Sequence, residues 1–419
     1  MPADVLVIGL GYVGLPLARE AVRAGYNVTG YDTRAEITAA LNSGCSHVDD
    51  VPDGQVAQMR AAGFRATHDE ASIGQPDVIV ICVPTPLSPA DGPDLTAVRA
   101  ATETAGSLLT QGTLVSLEST TYPGTTDEVV RPLLEKVSGL TAGIGFSLAF
   151  SPERIDPGNP YFGIRNTPKV VGGVTPGCAE AAAAFYGRIC ASVVLAKSAR
   201  EAEMAKLLEN TYRHVNIALV NEMAIFCREL DVDLWDAIRC AATKPFGFQA
   251  FYPGPGVGGH CIPIDPNYLG YKVRTLGYPF RFVELAQEIN GRMPAYVVDR
   301  AAELLNQDAK PMRGARVLLL GVTYKRDVAD QRESPAVAVG RKLQARGADL
   351  AYHDPCVSEW APGGVPVRLA ADLDAEVAAA DLVILLQDHS AYDLDLVART
   401  ARRILDTRGR LVGPNVERL

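Results

Sequence analysis

The hydrophobic pattern of the first half alternates between two periods. Residues 5–8 form a short apolar run fit for a strand buried on both faces. Residues 15–24 carry apolar positions at helical spacing and close at Gly25. Residues 26–31 predict a second strand, which ends at Asp32. The alternation goes on with a strand at 77–83, a helix at 95–109 and a strand at 113–117. A helix at 123–137 has proline near its first turn, and a strand at 147–150 runs into Ser151, Pro152 and Glu153. Strands that alternate with helices predict a doubly wound parallel sheet, whose ligands bind beyond the strand C-terminal ends.

The pattern then changes. Residues 201–230 hold neither Gly nor Pro, and Met204, Leu207, Leu208, Val215, Leu219, Met223 and Phe226 recur at helical spacing. A second helix is predicted over 234–242 and another over 294–305, followed by a polar linker at 306–313. A new alternating unit opens with strand 316–320, helix 335–346 and strand 349–353, with further strands at 382–386 and 410–412. The predicted class is therefore α/β: two Rossmann-like doubly wound parallel-sheet domains joined by a long central helix region. The boundaries expected are 1–198 for the first Rossmann-like domain, 199–305 for a helical central and dimerisation domain, and 306–419 for a second Rossmann-like domain. A long helix joining two domains commonly supplies an oligomer core, so a homodimer or higher homo-oligomer is expected.

Composition narrows the classes. Across 419 residues, 47% are hydrophobic and 21% charged, the profile of a globular protein with ample core. A net charge of -9 argues against nucleic acid as the main partner but leaves room for an anionic small molecule held by a few placed cations. The eight cysteines are scattered without CxxC, which points to a reduced, cytoplasmic protein. No apolar run approaches membrane-spanning length, and the start reads as a strand and turn rather than a signal peptide. The six histidines show no metal-ligand spacing, so no metal is expected.

The candidate chemistry sits at the punctuation. GLGYVG places Gly9, Gly11 and Gly14 in GxGxxG spacing, with Tyr12 and Val13 between them, directly after a strand. The glycines let a pyrophosphate approach the backbone at a helix N-terminus, and Asp32 stands where a carboxylate would hold the adenosine ribose. An acid there favours NAD over NADP, although Arg34 lies two residues on. Three other strand ends converge on the same crevice: the Pro84-Thr85-Pro86 turn that follows Val83; Ser119 and Thr120; and Glu153. Lys206 and Asn210 are i and i+4 on the long helix, so a cation and an amide share one face suited to a developing oxyanion. Cys261 lies in FYPGPGVGGHCIPID, a loop of prolines and glycines shaped to wrap a ligand, with Asp265 four residues on. A thiol so placed is a candidate nucleophile. The second alternating unit has Gly321 but no GxGxxG, and carries Lys325, Arg326 and Arg332 after a strand that Arg316 opens.

Together these motifs resemble the nucleotide-sugar 6-dehydrogenase family, which includes UDP-glucose, GDP-mannose and UDP-N-acetylhexosamine dehydrogenases. The resemblance rests on GLGYVGLPLA, STTYPGT, SPER, the Lys206/Asn210 pair, GVGGHCIPID and YKRDVADQRES, and spans essentially the whole chain. It implies a four-electron oxidation of a sugar CH2OH to a carboxylate that consumes two NAD. Carried over by motif, Cys261 is the nucleophile, Lys206 and Asn210 stabilise the oxyanion, and Asp265 transfers protons with a water positioned by Thr120 and Glu153. Thr120 and Arg332 also reach the cofactor. Arg154, Lys325, Phe251, Tyr252, Gly254 and Gly258 join Glu153, Lys206 and Asn210 on the substrate side. Lys244 stands about where some members place an arginine supplied across a dimer. His260 departs from the serine that often precedes the cysteine. The substrate expected is UDP- or dTDP-glucose; the alternative is UDP-GlcNAc or UDP-ManNAc, since GHCIPIDP resembles a bacterial branch that includes N-acetylhexosamine enzymes. A two-electron hydroxyacid-type dehydrogenase is the weaker enzyme alternative.

Overall fold

The computed structural model describes residues 3–88, 92–156, 159, 161–259 and 262–419. The chain forms two compact units, one from Met1–Glu209 with Asn267–Tyr278, the other from Asn210–Pro266 with Pro279–Leu419. In the first, strands β1 (Asp4–Ile8), β2 (Asn27–Tyr31), β3 (Arg65–Thr67), β4 (Val78–Ile81), β5 (Leu114–Leu117), β6 (Ser147–Phe150), β7 (Lys169–Gly173) and β8 (Val193–Leu195) build one sheet. Its order is β3-β2-β1-β4-β5-β6-β7-β8. The pairs are parallel apart from β6 with β7. Alternation along β1 sends Val5 and Val7 into one apolar layer and Leu6 and Ile8 into the opposite one, so helices cover both faces.

The second unit repeats this logic with β9 (Arg316–Leu320), β10 (Asp349–His353), β11 (Arg368–Leu369), β12 (Leu382–Leu385), β13 (Ile404–Asp406) and β14 (Val416–Arg418). The order is β11-β10-β9-β12-β13-β14, again reversing direction beside the first strand of the unit. Val317 and Leu319 face one core, Leu318 and Leu320 the other. The two doubly wound α/β sheets that the sequence predicts are present. So is the long helix, Ala199–Glu229.

Three local expectations fail for identifiable reasons. Residues 410–412 are not a strand: the N–H groups of Arg410 and Leu411 donate to the Asp406 carboxylate at 2.6 and 2.7 Å, which leaves them no ladder partner. The sheet is instead extended by β14. Pro294 does not begin a helix but lies inside Arg281–Gln307, where buried packing of Met293, Val297 and Val298 outweighs the lost N–H donor. The helix expected at 123–137 opens as a wider π-turn segment, Thr126–Val130, before the regular helix Arg131–Ser138.

One buried group of the second unit has a measurable consequence. His214, on the long helix, is 2% exposed, and among the described residues neither ring nitrogen has a hydrogen-bond partner. Burial holds its pKa down, from 6.5 to about 4. The imidazole is thus neutral when folded, while the unfolded chain takes up a proton below pH 6.5. A depressed pKa contributes stability that is present above the unfolded value and lost as pH falls towards the folded one. Acidification from pH 6.5 to about 4 should therefore cost this site about 3 kcal/mol. Urea titrations at neutral and acidic pH check this: His214→Phe should flatten the acid loss, and parallel curves for the two proteins would sink the idea.

Candidate active site

In the first unit the nucleotide cradle is set by close backbone approach. A Cβ on Gly14 would lie 1.8 Å from the Gly9 carbonyl oxygen, so helix Gly14–Arg23 docks against the turn only with glycine there. A Cβ on Gly11 would meet nothing within 4 Å, which leaves open space along the turn. The helix has no side-chain cap and no acid in its first turn, so its N-terminal donors and dipole remain available to a phosphate. Asp32 follows β2 and is buried; its Oδ2 accepts from Leu10 N at 3.1 Å, and its Oδ1 from Arg34 N and Nε at 3.1 Å each. Burial pushes this carboxyl up, but the Arg34 and Leu10 hydrogen bonds outweigh it and hold the pKa below the usual value. Cradle and acid together fit a dinucleotide with free ribose hydroxyls, and Arg34 is already engaged by the acid.

The other predicted strand-end residues of this unit follow β4, β5 and β6. Ser119 Oγ donates to the Val83 carbonyl at 2.8 Å, which links two of these turns. Tyr268 OH donates to the Thr85 carbonyl. Glu153 is buried, and its Oε1 accepts the N–H groups of Arg154 and Ile155, each at 2.6 Å. Arg154 itself is engaged elsewhere, with Nη2 at 2.6 Å from Glu209 and Nη1 at 2.8 Å from the Pro168 carbonyl. Sequence reasoning missed Glu203, one turn before Lys206. Its carboxyl accepts Gly124 N at 2.6 Å, Thr126 N at 2.9 Å and Thr126 Oγ1 at 2.7 Å, tying the segment that carries Thr120 to the helix that carries Lys206. Burial pushes Glu203 up to about 7. Its signal was an acid on the same helix face as apolar residues.

In the second unit Asn210 and Asp265 come together, with Asn210 Nδ2 donating to Asp265 Oδ2 at 2.6 Å and both side chains buried. Lys206, also buried, belongs to the first unit and precedes Asn210 by one turn of the same continuous helix. The predicted loop is anchored by amides. Gly254 N donates to Asn221 Oδ1 at 2.9 Å, Asn221 Nδ2 to Asn290 Oδ1 at 2.8 Å, and Asn290 Nδ2 to the His214 carbonyl at 3.3 Å. Farther along, Gly259 has φ +86 and a Cβ there would fall 2.7 Å from the Tyr324 ring, while its N–H donates to the Arg332 carbonyl at 3.1 Å. Gly258 is equally close to the 324–335 segment. The loop thus lies against the segment that holds Lys325. His260 and Cys261 lie outside the described residues.

Phe251 packs edge-on against Tyr212, and Tyr252 stacks on Trp235 with ring centroids 5.6 Å apart. Lys244 stands in an exposed segment, its ammonium 5.0 Å from the Phe246 ring centroid. The Arg332 guanidinium is held by Asp330, with Nε at 2.9 Å from both carboxylate oxygens. Sequence reasoning also missed Arg408, which follows β13 at the C-terminal ends of the strands. Its Nε donates to the Leu386 carbonyl at 2.6 Å, and burial lowers its pKa to about 10. A Cβ on Gly254 would lie 3.3 Å from Arg408 Nη1, so the cation borders the loop.

The second sheet repeats the acid of the first in Asp354, but in different surroundings. It follows β10 as Asp32 follows β2, and Val322 N donates to it at 2.6 Å as Leu10 N donates to Asp32. Here, however, buried His389 closes the carboxylate at 3.1 Å. Asp354, Cys356 and His389 bring ligand atoms within 4.8 Å of one another, but both His389 ring nitrogens are already in hydrogen bonds, to Asp327 N and Asp354.

Comparison with known proteins agrees with this geometry. Models of the UDP-glucose/GDP-mannose dehydrogenase family match in three segments: the NAD binding domain over residues 3–190, the central domain over 200–292 and the UDP binding domain over 318–412. The chain belongs to this family. It is 34% identical to a UDP-N-acetyl-D-mannosamine dehydrogenase of Pyrococcus horikoshii, over 98% of this chain and 97% of that one. It is 38% identical to a UDP-N-acetyl-D-glucosamine 6-dehydrogenase of Pseudomonas aeruginosa, over 84% and 83% of the two chains. A solved UDP-D-ManNAc dehydrogenase structure from Pyrococcus horikoshii superposes with TM-score 0.90 at 32% identity, covering 99% of this chain and 98% of that one. This family member is therefore an NAD-dependent nucleotide-sugar dehydrogenase. Among its described residues no helix is long and apolar enough to cross a membrane.

Proposed function

We propose that this family member oxidises the C6 hydroxymethyl of a UDP-N-acetylhexosamine, UDP-N-acetyl-D-mannosamine first among them, to the uronic acid. The glucose-type donor expected from sequence gives way here to its N-acetylated alternative. The observation that carries the substrate is the near full-length likeness to UDP-N-acetylmannosamine dehydrogenases. The reaction class is supported by the buried Asn210–Asp265 pair one turn beyond Lys206.

The roles follow from the chemistry of each side chain. NAD supplies the hydride acceptor, used twice per sugar. The first oxidation removes a proton from the C6 hydroxyl and a hydride from C6, leaving an aldehyde. Cys261 Sγ adds to the aldehyde carbon, and Lys206 and Asn210 donate to the oxygen that gains charge. Loss of a second hydride from C6 leaves a thioester on Cys261. Water held by Thr120 and Glu153 attacks its carbonyl carbon, Asp265 takes the water's proton, and the C–S bond breaks with the electron pair on sulfur. Gly9, Gly11, Gly14 and Asp32 hold the cofactor. Lys325 and Arg408 supply cations for the diphosphate. Lys244 and Arg332 retain the substrate and cofactor roles that their motifs imply. The long helix exposes Tyr212, Leu219 and Phe226 at intervals of seven, an apolar stripe that we assign to a homodimer.

The test is NADH formed per sugar on UDP-ManNAc, UDP-GlcNAc, UDP-glucose and dTDP-glucose, with the particle mass read by light scattering. Two NADH per N-acetylated sugar and a mass of two chains are expected. Faster turnover of either glucose donor would overturn the substrate, a ratio of one the reaction class, and a one-chain mass the dimer.

A further inference from the structure

Behind Glu153 lies a charge cluster to which none of the roles above is assigned. Lys169, at the start of β7, is 4% exposed, and its Nζ is 2.9 Å from Glu118 Oε2 and 3.5 Å from Glu153 Oε2. Glu118, which follows β5, is 1% exposed; its Oε1 accepts the Tyr186 hydroxyl at 2.6 Å, and Tyr186 in turn meets Ser116 Oγ at 2.8 Å. One ammonium thus serves two buried carboxylates. The Cys82 thiol after β4 and the Cys190 thiol also face the cluster; burial pushes both up, so neither adds charge near neutrality. Glu20 acts on Cys190 more weakly, and the Arg154 guanidinium is engaged with Glu209.

The asymmetry of the hydrogen bonds decides what the cluster does. Glu153 Oε1 takes two short backbone donors, whereas among the described residues Oε2 meets the Lys169 ammonium, at the long end of the range. Oε2 therefore keeps lone-pair capacity on the side that Lys169 orients. Glu118 holds Lys169 at the shorter distance and competes with Glu153 for its charge. We infer that Lys169 and Glu118 are positioning residues that set the charge of Glu153 for thioester hydrolysis, pulling in opposite directions. Burial pulls the Lys169 ammonium down, but Glu118 and Glu153 reverse this and hold it protonated. Burial pushes Glu118 up, against the opposing pull of Lys169.

The inference rests on the proposed reading of Glu153 as a group that orients the hydrolytic water. In that step the water oxygen bonds the thioester carbon, its proton leaves, and the C–S bond breaks with its electron pair on Cys261 Sγ. A carboxylate accepts the water's O–H better than a neutral carboxyl does, so the two variants are read from the acid limb of the hydrolysis pH profile. Removing the cation with Lys169→Met leaves two carboxylates unbalanced and moves that acid limb up. Glu118→Gln leaves Lys169 to Glu153 alone and moves it down. Each move should be about one pH unit, the low end of what a charge within ~4–6 Å does. Combining the substitutions removes both influences and brings the limb back towards wild type.

The experiment follows UDP-N-acetyl-D-mannosamine oxidation by rapid quench across a pH series, with intact-protein mass reporting the acyl adduct on Cys261. Opposite shifts in the single variants and partial return in the double variant are expected, with the adduct accumulating in Lys169→Met. A merely structural role gives losses of one sign and leaves the limb in place, and that result overturns the inference. Should Lys169→Met not fold, the downward move of Glu118→Gln decides alone. A wild-type protein that forms neither adduct nor NADH removes the functional reading itself, and this inference with it.

Discussion

Cys261→Ala will stop the second oxidation and leave at most one NADH per sugar. The reason is chemical: the aldehyde carbon has a C–H bond but no hydroxyl oxygen to drive its hydride out until a nucleophile adds to it. Without the thiol the remaining groups supply only oxyanion stabilisation and binding, so full conversion to the acid should fall by about 10^4-fold. On the barrier this is about 5 kcal/mol. Cys261→Ser retains a much weaker nucleophile and should stall on a covalent or aldehyde-level species visible by mass spectrometry. Stability should barely change, because the substitution is small. Wild-type NADH stoichiometry in Cys261→Ala would refute the covalent route.

The second large effect is expected from Asp265→Asn. This variant keeps an acceptor for Asn210 Nδ2, which now donates to Asp265 Oδ2 at 2.6 Å, so the buried pair survives while the base is lost. Loss of a positioned base costs roughly 10^2–10^4-fold in rate. The denaturation midpoint should stay near wild type. Asp265→Ala separates the two roles: it loses the base and also leaves the buried Asn210 amide unmet, which adds about 1–3 kcal/mol of destabilisation. Stopped-flow NADH formation and urea titration on both variants give the answer. A kcat for Asp265→Asn within a few-fold of wild type would remove Asp265 from proton transfer.

The comparison between sequence and structure turns on the range of each interaction. Apolar runs such as residues 317–320 and their helical neighbours are local periodicities, so two doubly wound sheets were legible before any coordinates. The GLGYVG turn and Asp32 were legible for the same reason, since one βαβ unit contains them. Lys206 and Asn210 share a face by helix geometry alone. Local rules failed where a distant or competing group captured the backbone. The Asp406 carboxylate took the donors that residues 410–412 needed for a strand, and core packing carried a helix through Pro294.

What the sequence determined by itself is the inventory and its order: a dinucleotide turn, a lysine and an amide on one helix face, a thiol loop and a second sheet without the fingerprint. Periodicity and short spacings encode these things, and they need no long-range contact. The tertiary structure alone decided the partnerships: Asn210 with Asp265, Asn221 with Gly254 and Asn290, and Lys169 between Glu118 and Glu153. It also decided that His389 closes Asp354 where Asp32 stays ready for a ribose. Each of these joins residues 33 to 69 positions apart in at least one contact, or sets a buried charge by what surrounds it. Desolvation and hydrogen bonding across such distances depend on packing, which no local pattern contains.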